Sequence, residues 1–162
     1  MKFDEEIFSE FGDAIVSDLR QSIDASGIRA SGNLQKSLRW DLTDKEFILW
    51  GAPYAGATEF GRKPTVESGD GDLLKAITQW IKDKGITPDD ISVESLAYVI
   101  TRSIHEKGTR LFDGSRPDFY GRTKPSEVLN GVINDGRINK LQEDLTTSVV
   151  KAIRNTLNNE NT

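Results

Sequence analysis

The sequence predicts an α+β domain: a small antiparallel sheet packed by a long N-terminal helix, a helical hairpin and a C-terminal helix. Three observations predict it. Apolar residues recur at helical spacing near both ends of the chain. Two runs rich in β-formers flank a polar turn before Gly51. Two capped amphipathic segments then follow one another between Asp72 and Gly108.

The first helix spans about Phe3 to Ser26. Phe3, Ile7, Phe11, Ile15, Leu19 and Ile23 recur every fourth residue, with Phe8 and Val16 beside them. Spacing by four drifts around a helix of 3.6 residues per turn, so the stripe spirals. Gly27 suits its C-terminal cap. Ser31-Gly32-Asn33 marks a turn. Leu34 and Leu38 sit one helical turn apart, while Leu38, Trp40 and Leu42 alternate, so a short helical turn is expected to run into a strand. Asp41 to Lys45 is the expected hairpin connection. Glu46 to Trp50 reads as the second strand, ended by Gly51 and Pro53.

Arg62 to Asp72 has the Gly, Pro, Ser and acid content of a loop. Asp72 is the expected cap of a helix from Leu73 to Lys84, whose face carries Leu73, Leu74, Ile77, Trp80 and Ile81 and which Gly85 closes. Ser92 caps the next helix, with Glu94 in its first turn. Leu96, Ile100 and Ile104 line one face, and Lys107 and Gly108 stop it. These two segments form the predicted helical hairpin. Gly108 to Ser126 is irregular, and a final helix covers about Arg137 to Asn158. There Ile138, Leu141, Leu145, Val149 and Ala152 follow helical spacing, with Val150, Ile153 and Leu157 alongside. The expected organisation is one domain over 1–162, with flexible loops at about 62–72 and 108–126 and a frayed tail at 158–162.

Composition narrows the function. A chain of 162 residues can bury about two thirds of its unfolded surface. No apolar run approaches the roughly 20 residues of a membrane span, and the acidic N-terminus lacks a signal core. There are no cysteines, which excludes disulfides, thiolate metal sites and a cysteine nucleophile, and suits a reducing cytoplasm. The net charge is −5, and residues 1–24 carry all of it, with seven acids against Lys2 and Arg20. An acidic first helix is a poor grip for nucleic acid. It reads first as a solvated face.

Motifs for catalysis are missing. The single histidine, His105, lies at a helix end without the second histidine of a helical zinc site, and no Gly-x-Ser-x-Gly elbow marks a nucleophile. Phosphate-binding glycine loops are absent. The acidic stretch Glu67 to Asp72 lacks EF-hand spacing and reads as a loop with a helix cap. The expectation is therefore a protein that is not an enzyme and carries no cofactor or metal. The 108–126 loop combines Arg110, Arg116, Arg122 and Lys124 with Phe112, Phe119 and Tyr120. Arginine with aromatics is the composition of protein interfaces and also of single-strand nucleic-acid surfaces. The protein interface is favoured because the chain as a whole is acidic.

The region most characteristic of the chain joins Ser31-Gly32-Asn33-Leu34-x3-Leu38 to Tyr54-x4-Glu59-Phe60-Gly61-Arg62, and later ends a helix with Glu106-Lys107-Gly108-Thr109-Arg110. In that order these elements resemble the tailed-bacteriophage head–tail joining and tail-completion family of neck and minor tail components. The similarity covers about residues 5–155. It departs where the family's compact Pro-Phe segment is extended here to GTRLFDGSRPDFYGR. The resemblance implies a structural virion protein that completes the tail or joins it to the head through ring-forming contacts. Its partners would be other neck and tail proteins, namely a connector or stopper and a tail tube or terminator. The chain would be a homo-oligomeric ring in the virion, with a monomer before assembly as the alternative state, genome DNA in the ring's lumen and assembly in the host cytoplasm. The acidic first helix is a candidate lining for that lumen. Tyr54, Phe60 and Arg62 are the anchor types found at interfaces, although Tyr54 and Phe60 suit the edge of the sheet's core equally. Glu59 is expected to pair with an arginine across a subunit boundary. The alternative is a small DNA-binding or packaging-accessory protein using 108–126.

Overall fold

The computed structural model of the chain describes residues 5–28, 31–65, 71–114, 117–118, 121–125 and 127–159. Its spine is α1 (Glu5–Ala25), which buries Phe8, Gly12, Ile15, Val16, Leu19 and Ile23. Ile15, Leu19 and Ile23 follow the predicted stripe with Phe8 and Val16 beside them, whereas Ile7 and Phe11 are only half-buried and Gly12 lies off the stripe. Phe3 lies outside the described residues. Gly27 ends the helix at φ +68°, with its N–H on the Asp24 carbonyl at 3.3 Å.

After Gly32, at φ +79°, the short α2 (Asn33–Ser37) buries Leu34 and Gln35. Arg20 ties α2 to α1, donating from Nε to the Gln35 carbonyl at 3.1 Å and from Nη2 to the Leu38 carbonyl at 2.9 Å. The chain then forms β1 (Arg39–Leu42) and β2 (Phe47–Trp50), an antiparallel pair with Trp40 opposite Leu49 and Leu42 opposite Phe47. The connection falls at Thr43–Glu46, later than expected from Asp41. The Thr43 hydroxyl accepts from the Lys45 and Glu46 N–H groups at 3.3 and 3.2 Å, and this local capping moves the turn.

One face of the pair packs on α1. The Phe47 ring lies 6.0 Å from Phe8, 5.5 Å from Phe11 and 5.8 Å from Trp40. Gly12 makes room for Trp40: a Cβ there would stand 2.5 Å from the indole. The indole N–H donates to Asp13 Oδ1 at 2.8 Å. The main core gathers Ile15, Val16, Leu19, Ile23, Ile28, Leu34, Leu38 and Val128.

The helical hairpin is α4 (Asp72–Asp83) and α5 (Val93–Lys107), centred on the fully buried Ile81 and Ala97. Its α4 cap differs from expectation. Gly71, at φ +87°, occupies the cap position without a side-chain bond, and Asp72 is the first helical residue, paired with Lys75 at 3.3 Å. Gly85 closes α4 as expected: its N–H reaches the Lys82 carbonyl and that of Ile86 reaches Ile81. Ser92 Oγ caps α5 by accepting from the Ser95 N–H at 3.1 Å.

Among the described residues of 108–126, Arg110–Asp113 form a helical turn, α6. The last helix, α7 (Asp135–Asn159), begins two residues earlier than expected because Asn134 Oδ1 accepts from the Arg137 N–H at 3.0 Å. Arg137 is ion-paired with Asp18 of α1. From Ile138 to Asn158 no residue of α7 is buried.

Candidate functional site

The Tyr54–Arg62 segment contains a short helix, α3 (Ala55–Phe60), which the sequence did not signal. Tyr54 stands at its cap, and the Tyr54 carbonyl accepts from the Thr58 N–H at 3.0 Å. Gly61 leaves the helix at φ +79°. A side chain on Gly61 would lie 2.5 Å from the Phe112 nitrogen and 2.5 Å from Thr109 Oγ1, so α6 sits directly on this glycine. By contrast, nothing lies within 4 Å of a Cβ on Gly56.

A backbone clasp extends this contact. Arg62 N–H donates to Thr109 Oγ1, and Thr109 N–H donates to the Arg62 carbonyl, both at 2.8 Å. Thr65 N–H then reaches the His105 carbonyl at 3.0 Å. His105 is part of this clasp, with Nδ1 2.5 Å from the Thr65 hydroxyl.

Two expected interface residues turn inward. Glu59 is 1 % exposed, and its Oε2 accepts from the Leu129 N–H at 3.2 Å. Its carboxylate therefore anchors α3 to the 128–132 turn, and burial removes it from the subunit boundary expected for it. Arg122 folds back on Asp118 with two contacts of 2.8 Å, and its Nη1 donates to the Thr58 carbonyl at 3.2 Å. This ion pair is mostly buried, and Arg122 ties it to α3.

The aromatic members remain outside. Tyr54 is 49 % exposed, Phe60 49 % and Phe112 50 %. Partial burial pushes the Tyr54 phenol above its ordinary range. Arg110 is exposed, and Arg62 is half-buried at the clasp. Arg116, Phe119 and Tyr120 lie outside the described residues. Glu59, Arg122, Gly61 and Thr109 thus tie α3 and α6 to the rest of the chain, while Tyr54, Phe60 and Phe112 are each about half exposed.

Sequence reasoning missed two exposed features. Trp50 is 43 % exposed, with the Arg39 guanidinium 5.3 Å from its ring centre. Strict alternation from Leu49 would have pointed it outward. The apolar residues of α7, with Ile153 and Leu157 more than half exposed, were read as a packing face.

The acids of α1 also do more than solvate. Asp13 holds Trp40, Asp18 holds Arg137, and Asp24 Oδ1 accepts from Gln35 Nε2 at 2.8 Å. Glu5, Glu6 and Glu10 remain exposed. Among the described residues no cluster of three or more His, Cys, Asp or Glu is placed to hold a metal, and no helix is long and apolar enough to cross a membrane. No protein-family model matches the chain, and neither a curated protein nor a solved structure is significantly similar to it.

Proposed function

We propose that this chain is a structural component of a bacteriophage neck or tail, completing the tail or joining it to the head through protein–protein contacts. The observation that carries this reading is the set of half-exposed aromatics on two anchored short helices. Tyr54, Phe60 and Phe112 are held about half exposed on short helices whose inner sides are fixed by buried polar contacts. Rigid, half-exposed aromatics are what an interface uses as anchors. The same segment carries the motifs that resemble the neck and tail-completion family. The largely exposed α7, with Ile153 and Leu157 more than half exposed, is a second surface suited to assembly.

In this role the protein works without catalysis, as a ring or part of one in the virion, after assembly in the host cytoplasm. Its partners are the connector or stopper on one side and the tube or terminator on the other. A DNA grip through 108–126 is the weaker reading, because Arg122 spends its charge on Asp118.

The test is capture by purified connector and tail-tube proteins. Phe60→Ala with Phe112→Ala should lose capture while circular dichroism stays unchanged. Undiminished capture by that variant, or salt-sensitive DNA binding in place of capture, contradicts the proposal.

A further inference from the structure

The two-stranded sheet leaves both of its edges unused. Thr43 N–H bonds to the Glu46 carbonyl at 2.9 Å, so this pair is a hydrogen-bonded one. Antiparallel pairs alternate, and the register then makes Asp41–Ile48 and Arg39–Trp50 the bonded pairs. The backbone groups of Trp40 and Leu42 point out from β1, and those of Phe47 and Leu49 point out from β2. Among the described residues no hydrogen bond uses these outward groups. A two-stranded sheet with open edges is a template for a further strand.

The geometry points to strand addition between copies of this chain, with the β1 edge of one copy pairing with the β2 edge of the next. The occupant follows from the fit of the two edges to each other. Repeating the internal register across the junction sets Trp40 and Leu42 of one copy against Leu49 and Phe47 of a second copy as bonded pairs. Every outward N–H then meets an outward carbonyl. The same register keeps faces in phase. The apolar set that packs on α1 continues from copy to copy, and Arg39 lies between its own Trp50 and the next. Pairing β1 with β2 is head-to-tail, the class of contact that closes into a ring. This inference rests on the ring reading above and names the surface that makes the ring.

The lack of cysteines makes the test clean. Across the junction Asp41 and Ile48 form a non-bonded pair, with Cα atoms about 4.5 Å apart, inside disulfide range. Asp41→Cys and Ile48→Cys are made as separate full-length chains, so neither can close an internal disulfide. Under mild oxidation the mixture should give covalent dimers, while each variant alone stays monomeric on a denaturing gel. Arg39→Cys mixed with Trp50→Cys serves as a second pair should either first variant fail to fold. Dimers from Asp41→Cys alone indicate two-fold pairing of β1 edges and overturn the inference, as does a mixture without dimers. Rings or neck complexes that form without cross-linking defeat strand addition and leave the neck reading standing. Cross-linking in a protein that ignores neck partners does the reverse.

Discussion

Gly61 concentrates the cost of building the aromatic surface at one residue. Its φ of +79° is a left-handed conformation, and a Cβ would strike the Phe112 nitrogen and the Thr109 hydroxyl. Gly61→Ala should therefore destabilise the fold by about 1–3 kcal/mol. Gly56, five residues earlier inside α3, has open space around it. Gly56→Ala should stabilise by about 0.5–1 kcal/mol through helix propensity. Urea midpoints of the two variants measure both effects. Equal effects would contradict the close approach of α6 to Gly61. Glu59 makes the same point about placement. Its burial against Leu129 N–H was not legible in the sequence, because an acid four residues after Ala55 reads as surface until the inner side of α3 is known.

At the scale of elements, caps separate what was legible from what was not. Ser92 precedes an apolar-periodic segment and was readable as a cap; its hydroxyl bonds to the Ser95 N–H. Asp72 presents the same sequence pattern, but Gly71 takes the cap position in a left-handed conformation. Ser92→Ala should cost about 1 kcal/mol, whereas Asp72→Ala, which removes no N-cap bond, should cost less, about 0.5 kcal/mol for its exposed Lys75 pair and dipole interaction together. Thermal denaturation of the pair distinguishes them. The long helices, the strands and the helical hairpin were legible because their signals are local and periodic, whereas the short α3 and α6 were not. Trp50 and Arg122 were not, because their settings depend on partners 11 residues away in Arg39 and 64 residues away in Thr58.

The helix α7 shows the limit of periodicity. Its apolar spacing correctly predicted a helix, but spacing does not say whether the stripe packs within the chain or awaits a partner. Val149, Val150, Ile153 and Leu157 are 40–55 % exposed. A bare helix in water is marginal, and most helical stability in proteins comes from packing an amphipathic face. Ile153→Lys with Leu157→Lys should change unfolding free energy by no more than about 0.5 kcal/mol. The same variant should fail to assemble with its partners, as read by co-sedimentation. A large loss of stability would show that α7 packs within its own chain.

For the whole molecule, the parts divide into support and surface. The α1 spine, the hairpin sheet and the 128–132 turn form the core. The clasp of Arg62 with Thr109 and of Thr65 with His105 joins the α4–α5 hairpin to that core. Around it lie three surfaces suited to other chains: the half-exposed aromatics of α3 and α6, the open sheet edges and the largely exposed α7. These are the surfaces that the proposed role in a phage neck or tail would use. The measurement that tests this most directly is the mass of the purified protein, alone and mixed with connector and tail-tube proteins, by light scattering with negative-stain imaging. The account predicts rings, or incorporation into a partner's ring with a defined stoichiometry. A monomer that ignores both partners at every concentration would contradict it.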